Sequence, residues 1–324
     1  MKKTLSQDLA AARTDYLHSG SETSLPIVDA HHHFWRMDNP HPWLTELPRI
    51  PFRYGDYEVI CKDFLPADYD AACGAHRVMR HVVMEGEWTP ADTLGEALWM
   101  HSLAQSCGRP HAMAAQIWLD RPDAEALMQS YSSAPLQGFV RSVRHKPACA
   151  RREDYRSNWA EPGSMRCRNW RDGYALLSTY KLMFELQAPW WHMAEAVELA
   201  NDFPDIRIIV NHAGLPGVRD AETLRLWRKA MAQLADCPNV MMKISGLGVR
   251  DQPWSVEQQA PVVNALITDY GVERCLFASN HPVDAVVVKL DVLWDGFKIL
   301  TRQLDPEQRL ALFCDNAVDL YGLR

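Results

Sequence analysis

The length, composition and charge of this 324-residue chain exclude several classes of protein before any motif is considered. The chain is 47% hydrophobic and carries a formal net charge of −7. This hydrophobic fraction is ordinary for a globular core, and the negative charge argues against nucleic acid as the main partner, because binding phosphates requires a basic face. No stretch of about 18 apolar residues exists, so no membrane span is expected.

The N-terminal part of the sequence differs from the rest. Residues 1–24 are polar and end in Ser19-Gly20-Ser21-Glu22-Thr23-Ser24, which predicts a loosely held extension before one domain over residues 25–324. The first eight residues contain an acid and no apolar run, which argues against a signal peptide. Eight scattered cysteines without a CxxC pair indicate free thiols in a reducing cytoplasm.

Eight short apolar runs recur along the chain, at intervals that leave room for a helix between them. They are apolar nearly throughout, which is typical of parallel strands buried on both faces. The predicted strands are residues 27–31, 77–84, 112–118, 137–143, 181–186, 207–211, 240–245 and 275–279.

Helical patterns separate several of these strands. The clearest cover residues 90–107, with Thr89 as N-cap, and residues 191–203, 221–234 and 255–270. Alternating strands and helices over the whole length predict a (β/α)8 barrel or a doubly wound sheet, and the length suits a barrel of roughly 250 residues plus insertions. No glycine-rich phosphate-binding motif follows any strand, so a nucleotide-binding fold has little support.

Two long segments interrupt this alternation, at residues 36–66 and 146–172. The second contains six arginines and two tryptophans without an apolar period. In a barrel, a long loop after a strand covers the active face. The alternative is a solvated surface loop that does not contact a ligand.

Three consecutive histidines mark the end of the first predicted strand. Side chains alternate along a strand, so His31 and His33 point to one side and His32 to the other. Two imidazoles on one side can hold a divalent metal or act on a substrate. A histidine cluster without any ligand is the alternative.

Polar residues also lie at the ends of later strands. They include Arg144, Gln187, His212, Lys243 and Asn280. In a parallel barrel the carboxyl ends of all strands converge on one mouth, where active sites are built. Charged and imidazole residues at the same end of most strands are hard to explain by packing alone, so we predict a site at this mouth.

Five motifs occur in a fixed order at these strand ends. They are Asp29-Ala30-His31-His32-His33-Phe34-Trp35, Val143-Arg144-His145, Asn211-His212-Ala213-Gly214-Leu215-Pro216, Lys243-Ile244-Ser245-Gly246-Leu247 and Phe277-Ala278-Ser279-Asn280-His281-Pro282. Together they resemble the amidohydrolase-related family, a branch of the amidohydrolase superfamily. The similarity is greatest to the group of sugar-acid lactonases and 2-pyrone-4,6-dicarboxylate hydrolase, and it extends from about residue 25 to the C-terminus.

The resemblance implies a (β/α)8 barrel, hydrolysis of a lactone, and a site that includes an acidic residue after the eighth strand. The family usually has Asp there, whereas this chain has Asn280. A carboxamide does not accept a proton at neutral pH and is a poor metal ligand. Asp284, His281, His212 and His192 are the candidates for a replacement base, and the sequence does not rank them. The alternatives are that the chemistry needs no carboxylate at this position or that the protein binds its ligand without turnover.

The resemblance leaves the metal open, because some family members hold one divalent ion and others hydrolyse without metal. His31, His33 and His212 would form a three-nitrogen site with an open position for water, and zinc or another divalent ion is slightly favoured. Without metal, His31 and His33 would polarise the lactone carbonyl together with Arg144 and Lys243.

These observations lead to one function and two alternatives. We predict a cytoplasmic hydrolase of a small sugar-acid or carboxylated lactone, with Arg144 and Lys243 binding an anionic group. Gln187, Asn280 and His192 would be further substrate contacts. The alternatives are a metal-dependent decarboxylase of an aromatic or unsaturated acid and a non-catalytic binder of small molecules. The sequence carries no indication of oligomeric state.

Overall fold

Eight parallel strands form the centre of the protein in a computed structural model that describes residues 5–324. The strands are hydrogen bonded in chain order from β1 to β8, with helices between them, so the predicted (β/α)8 barrel is confirmed. Their bounds are β1 Ile27–His32, β2 Val78–Met84, β3 Ala112–Gln116, β4 Val140–Arg144, β5 Met183–Leu186, β6 Ile208–Val210, β7 Val240–Ile244 and β8 Cys275–Phe277.

The ring closes between the first and last strands, at their carboxyl ends. The backbone N–H of Asn280 donates to the carbonyl of His31 at 2.6 Å, and that of His33 donates to the carbonyl of His281 at 2.7 Å. Two of the predicted motifs are therefore joined directly by backbone hydrogen bonds.

Helices surround the barrel, and most follow a strand. They are α1 Gln7–Ser19, α2 Pro42–Thr45, α3 Pro66–Cys73, α4 Thr93–Cys107, α5 Ala124–Tyr131, α6 Arg168–Tyr180, α7 Met193–Asp202, α8 Ala221–Ala235, α9 Val256–Tyr270, α10 Leu290–Leu300, α11 Pro306–Leu310 and α12 Asn316–Tyr321. The predicted start of α4 is too early, because the side chain of Asp92, and not Thr89, accepts from the N–H of Gly95 as its cap. Within the described residues, no helix is long and apolar enough to cross a membrane.

The N-terminal segment is a docked helix and not the loosely held extension that its polar composition suggests. Leu9, Ala12 and Tyr16 of α1 are each at most 1% exposed, because their spacing places them on one helix face. The Nε of Arg13 donates to Asp315 at 3.0 Å, which ties α1 to the C-terminal helices. Residues 1–4, at the start of the predicted extension, lie outside the described residues.

The hydrophobic core has two parts. A large outer part fills the space between the strands and the surrounding helices. A smaller inner part, around Val28, Val82, Ile209 and Leu276, fills the barrel interior, and α12 contributes Tyr321 to it. The barrel interior is therefore packed below the mouth.

Candidate active site

Three histidines meet at the mouth of the barrel. The ring centroids of His31 and His33 are 5.4 Å apart, and those of His31 and His212 are 4.5 Å apart. His32 points to the other side of β1, where its ring lies 5.0 Å from that of Tyr69 in α3. The structure thus brings together the two strand-1 histidines and the strand-6 histidine of the predicted site.

The position of His212 depends on its own backbone and on its neighbours after β7. His212 has a φ of 55°, in the left-handed region that non-glycine residues seldom adopt. Its Nδ1 lies 3.0 Å from the hydroxyl of Ser245. Gly246 leaves room for the ring, since a Cβ on this residue would come within 2.5 Å of the same Nδ1.

The three imidazoles share an electrostatic environment that keeps them neutral. Burial is the main cause that lowers the pKa of His31, His33 and His212 well below the usual value, and nearby positive charges, Arg144 among them, lower it further. Among the described residues, neither ring nitrogen of His31 has a hydrogen-bond partner, and Nδ1 of His33 has none. Buried polar atoms of this kind are rare and mark places where chemistry or binding occurs.

A carboxylate stands close to the strand-8 position where the family usually has Asp. The side-chain N–H of Asn280 donates to Oδ1 of Asp284 at 2.6 Å, and the same oxygen accepts from the hydroxyl of Tyr54 at 3.0 Å. Nη2 of Arg53 lies 3.5 Å from it. Burial raises the pKa of Asp284 to about 6, while Arg53 and the two hydrogen bonds lower it.

The bond to Asp284 also fixes the amide of Asn280. Since the Asn280 nitrogen is engaged by Asp284, its carbonyl oxygen is the side-chain atom that remains to accept a hydrogen bond. Asn280 has a φ of 55°, a second strained residue at this mouth. Asp284 turns back onto Asn280 and does not point away after Pro282.

Arg144 lies at the end of β4 and is held by a buried acid. Its Nε donates to Oε1 of Glu85 at 2.5 Å, its Nη2 to the carbonyl of Glu85 at 2.8 Å and its Nη1 to Gln187 at 3.1 Å. A guanidinium has five N–H groups, so two remain for a ligand. Glu85, which follows β2, offsets part of its charge.

The structure does not bring Lys243 to the cavity. Its side chain is fully buried, and Nζ lies 2.8 Å from Oε2 of Glu185. Burial lowers the pKa of Lys243 to about 8, whereas Glu185 raises it. The expected contact with an anionic substrate group is therefore replaced by an internal ion pair. Glu185 also accepts hydrogen bonds from Ser142, Asn211 and Tyr321.

His192 is also separate from the histidine cluster. Its Nδ1 lies 2.8 Å from Glu195, and its Nε2 accepts from the N–H of Ala150 at 2.9 Å. With both nitrogens bonded to protein, His192 anchors the segment 146–172 to the start of α7. Within that segment only Lys146 lines the cavity described below, so most of the segment does not cover the site.

A cavity of about 240 Å³ opens above the cluster. Residues 36–66 contribute an aromatic and cationic wall to it, including Arg53, which the sequence analysis did not single out. The length of this segment after the first strand indicates a loop over the site. It does not indicate which residues of the loop line the cavity. The cavity is also lined by His33, Glu85, Glu87, Arg144, Lys146, Gln187, His212 and Asn280.

The histidines do not form a metal site in their present arrangement. Their unpaired nitrogens are suitable donors for zinc. Across residues 5–324, however, no group of three His, Cys, Asp or Glu side chains has the arrangement needed to hold an ion.

Comparison with known proteins places the chain in a family. The sequence profile of the amidohydrolase family matches residues 28–323. The chain is 35% identical over 301 residues to the uncharacterized protein y4mH of Sinorhizobium fredii, covering 92% of this chain and 99% of that protein. It is 25% identical over 305 residues to an L-fucono-1,5-lactonase of Burkholderia ambifaria, covering 91% and 95%.

A similar fold is found among solved structures. A crystal structure of an amidohydrolase from Burkholderia multivorans with bound zinc has a TM-score of 0.74 and 20% identity, covering 92% of this chain and 99% of that one. The eight-stranded barrel, the ordered strand-end motifs and the profile match together show that this chain belongs to the amidohydrolase family.

Proposed function

We propose that the protein is a hydrolase that opens a small lactone. The observation that carries this proposal is His212, a neutral imidazole on the cavity wall whose Nδ1 contacts Ser245. A base held by a second hydrogen-bonding group is the arrangement expected for acid–base catalysis. The distant relationship to an L-fucono-1,5-lactonase supports a lactone as the substrate.

We assign to His212 the transfer of a proton from the attacking water to the leaving ring oxygen. With Nδ1–H donating to the hydroxyl of Ser245, Nε2 accepts a proton from a water molecule in the cavity. The water oxygen bonds to the lactone carbonyl carbon, the bond to the ring oxygen breaks, and the imidazolium returns its proton to that oxygen. The products are the hydroxyl and carboxyl groups of the open acid.

The charges around the cavity favour the negative charge that this reaction generates. Arg144 retains two N–H groups, enough to stabilise the oxyanion that forms on the carbonyl. Arg53 and Lys146 add positive charge, against the carboxylates of Glu85 and Glu87. Each of these cations has a carboxylate partner, Asp284 for Arg53, Glu85 for Arg144 and Glu87 for Lys146. The two unused N–H groups of Arg144 are therefore the basis for proposing a carboxylated or sugar-acid lactone as the substrate class.

The test is a proton-release assay at neutral pH on sugar-acid and carboxylated lactones, corrected for spontaneous opening. We expect turnover by the wild type and its near loss in His212→Asn, with the exposed His18→Asn on α1 as the matched control. Release of carbon dioxide from an aromatic acid without ring opening would instead identify a decarboxylase. Thermal stabilisation by a lactone without turnover would identify a binder.

Zinc binding and cytoplasmic location remain predictions. Metal analysis of protein purified without chelator tests the first, since about one ion per chain, lost in His31→Ala, would support a histidine-bound metal. All eight cysteines are free thiols in the described residues, which is consistent with a reducing compartment. Localisation of a tagged chain by microscopy or cell fractionation tests the predicted cytoplasmic location.

A further inference from the structure

A second, larger cavity adjoins the one above the histidines. Its volume is about 540 Å³, against about 240 Å³ for the first. Both cavities are lined by Trp43, Ile50, Glu85 and Arg144, so they adjoin along these side chains. A ligand confined to the histidine cluster does not fill the larger cavity.

The walls of the second cavity are mainly apolar and aromatic. Trp43, Trp88 and Trp118 line it. The indole N–H of Trp43 donates to the carbonyl of Gly86 at 2.8 Å, and that of Trp88 lies 3.4 Å from Asp92. Because these polar atoms are engaged, the rings offer mainly their apolar surfaces to the cavity.

Contacts with neighbouring rings hold the side chains of this aromatic wall in place. The ring of Trp43 is stacked on Phe52 at 6.1 Å and meets the edge of Trp35 at 5.6 Å. Trp88 is only 6% exposed and packs against His41. Rigid walls reduce the entropy lost on binding, so this arrangement favours a ligand group of fixed shape.

Two further observations indicate a ligand. Leu47 and Ile50 at this cavity are 78% and 51% exposed, and an apolar ligand would remove part of their surface from water. Gln116 is 7% exposed, yet its Oε1 has no hydrogen-bond partner among the described residues. Gln116 lines the cavity, so this unpaired oxygen lies within its wall.

We infer that the second cavity is a subsite for an aromatic substituent on the substrate. The inference rests on the proposed function, because the substituent is joined to the lactone ring held near His212. The substrate class then becomes an aryl-substituted lactone, larger and more apolar than an unsubstituted sugar lactone. Trp118 and Leu47 would contact the substituent without taking part in the ring opening.

Binding of lactams tests this subsite without turnover, since an amide replaces the reactive ester. Calorimetry would compare 6-phenylpiperidin-2-one with piperidin-2-one. We expect the phenyl compound to bind about tenfold more tightly to the wild type, a typical gain for one well-packed ring. Trp118→Ala should remove most of this preference, while Trp159→Ala, outside both cavities, should retain it.

A second pair of variants guards against misfolding. Leu47→Ala changes a side chain too exposed to hold the fold together, and should reduce the preference for the phenyl lactam several-fold. Leu98→Ala, on the exposed face of α4, is its control. Equal affinity of the two lactams for the wild type, or a preference unchanged in both cavity variants, would overturn the subsite.

Turnover measurements distinguish a failure of this inference from a failure of the proposed function. Opening of δ-valerolactone and its 6-phenyl derivative with equal kcat/KM, together with equal lactam binding, would retain the lactonase and reject the subsite. Preference for the phenyl lactam without opening of either lactone would retain the subsite and reject the proposed reaction.

Discussion

Two polar clusters lie inside this barrel, and they differ in how completely their hydrogen bonds are satisfied. In the lower one, Glu185 is bonded to Lys243 and to three further donors. In the upper one, which contains His31, His33 and His212, neither ring nitrogen of His31 has a partner within residues 5–324, and His212 faces a cavity. A saturated buried group stabilises one conformation, whereas an unsatisfied one is available to a ligand.

This difference explains why a polar residue at the end of a strand is not by itself evidence of a functional residue. Lys243 and His192 have the residue types and sequence positions of site residues. However, the ammonium of Lys243 is paired with Glu185, and both ring nitrogens of His192 are bonded to protein. The sequence shows which residues are polar and near a strand end. It does not show how many of their hydrogen bonds the fold has already used.

Glu185→Leu is expected to have the largest effect, on stability. It leaves the ammonium of Lys243 buried without its partner, which costs about 3–5 kcal/mol in comparable cases. Urea unfolding followed by circular dichroism measures the loss. The double variant Glu185→Leu/Lys243→Met should recover most of it, and a single variant as stable as the wild type would contradict the structural role of the pair.

His212→Asn tests the upper cluster and should affect turnover much more than stability. Loss of a general base typically costs about 100- to 10,000-fold in rate, so kcat/KM should fall within this range. The free energy of unfolding should change by no more than about 1 kcal/mol, because the asparagine amide can still meet Ser245. Full activity would exclude His212 as the base.

The fold could be predicted from the sequence because it depends on a repeated local pattern. Each of the eight predicted strands overlaps an observed one, since apolar runs bounded by turn residues are needed wherever a strand is buried on both faces. The N-terminal helix was missed because its apolar stripe of Leu9, Ala12 and Tyr16 is narrow and surrounded by polar residues.

The site could be predicted only in part. The positions of His31, His33, His212 and Asn280 follow from the convergence of strand ends. Arg53 and Tyr54 could not be found in this way, because they reach Asp284 from an irregular loop more than 200 residues away in sequence. No periodicity specifies such contacts, which depend on the tertiary path of the loop.

Asp284→Asn should alter the pH dependence of activity. Burial raises the pKa of Asp284 to about 6, so the carboxylate that accepts from Asn280 becomes protonated as the pH falls through this value. We expect wild-type kcat/KM to decline below pH 6. The variant keeps the acceptor oxygen without a titrating group, so its kcat/KM should decline less than that of the wild type, since burial also lowers the pKa of His212.

Stability should show the opposite trend for the same carboxyl. The folded pKa of about 6 is above the usual aspartate pKa of 3.8, so the fold favours the protonated form. The contribution of Asp284 is fully present below pH 4 and is lost as the pH rises through 6, by about 3 kcal/mol. Unfolding of wild type and variant across this range isolates it, and parallel curves would reject the raised pKa.

Gly246→Ala gives the smallest expected effect, and it tests how closely the upper cluster is positioned. Gly246 has a φ of +59°, and an added Cβ would lie 2.5 Å from Nδ1 of His212 and 2.8 Å from Nη2 of Arg53. Both the backbone and the ring must therefore shift. We expect a loss of about 1 kcal/mol in stability and about tenfold in kcat/KM, measured with the same lactone.

The ratio of the loss in stability to the loss in kcat/KM is informative. Gly246 belongs to the same loop as Ser245 and contacts the upper cluster, but it takes no part in the reaction. Gly217→Ala is the control, since a Cβ there meets no atom within 4 Å. A stability loss with unchanged kcat/KM would show that the ring of His212 can move without cost, and the assignment of its Nε2 as proton acceptor would then fail. A loss of kcat/KM alone would show that the upper cluster tolerates little displacement even where the fold does.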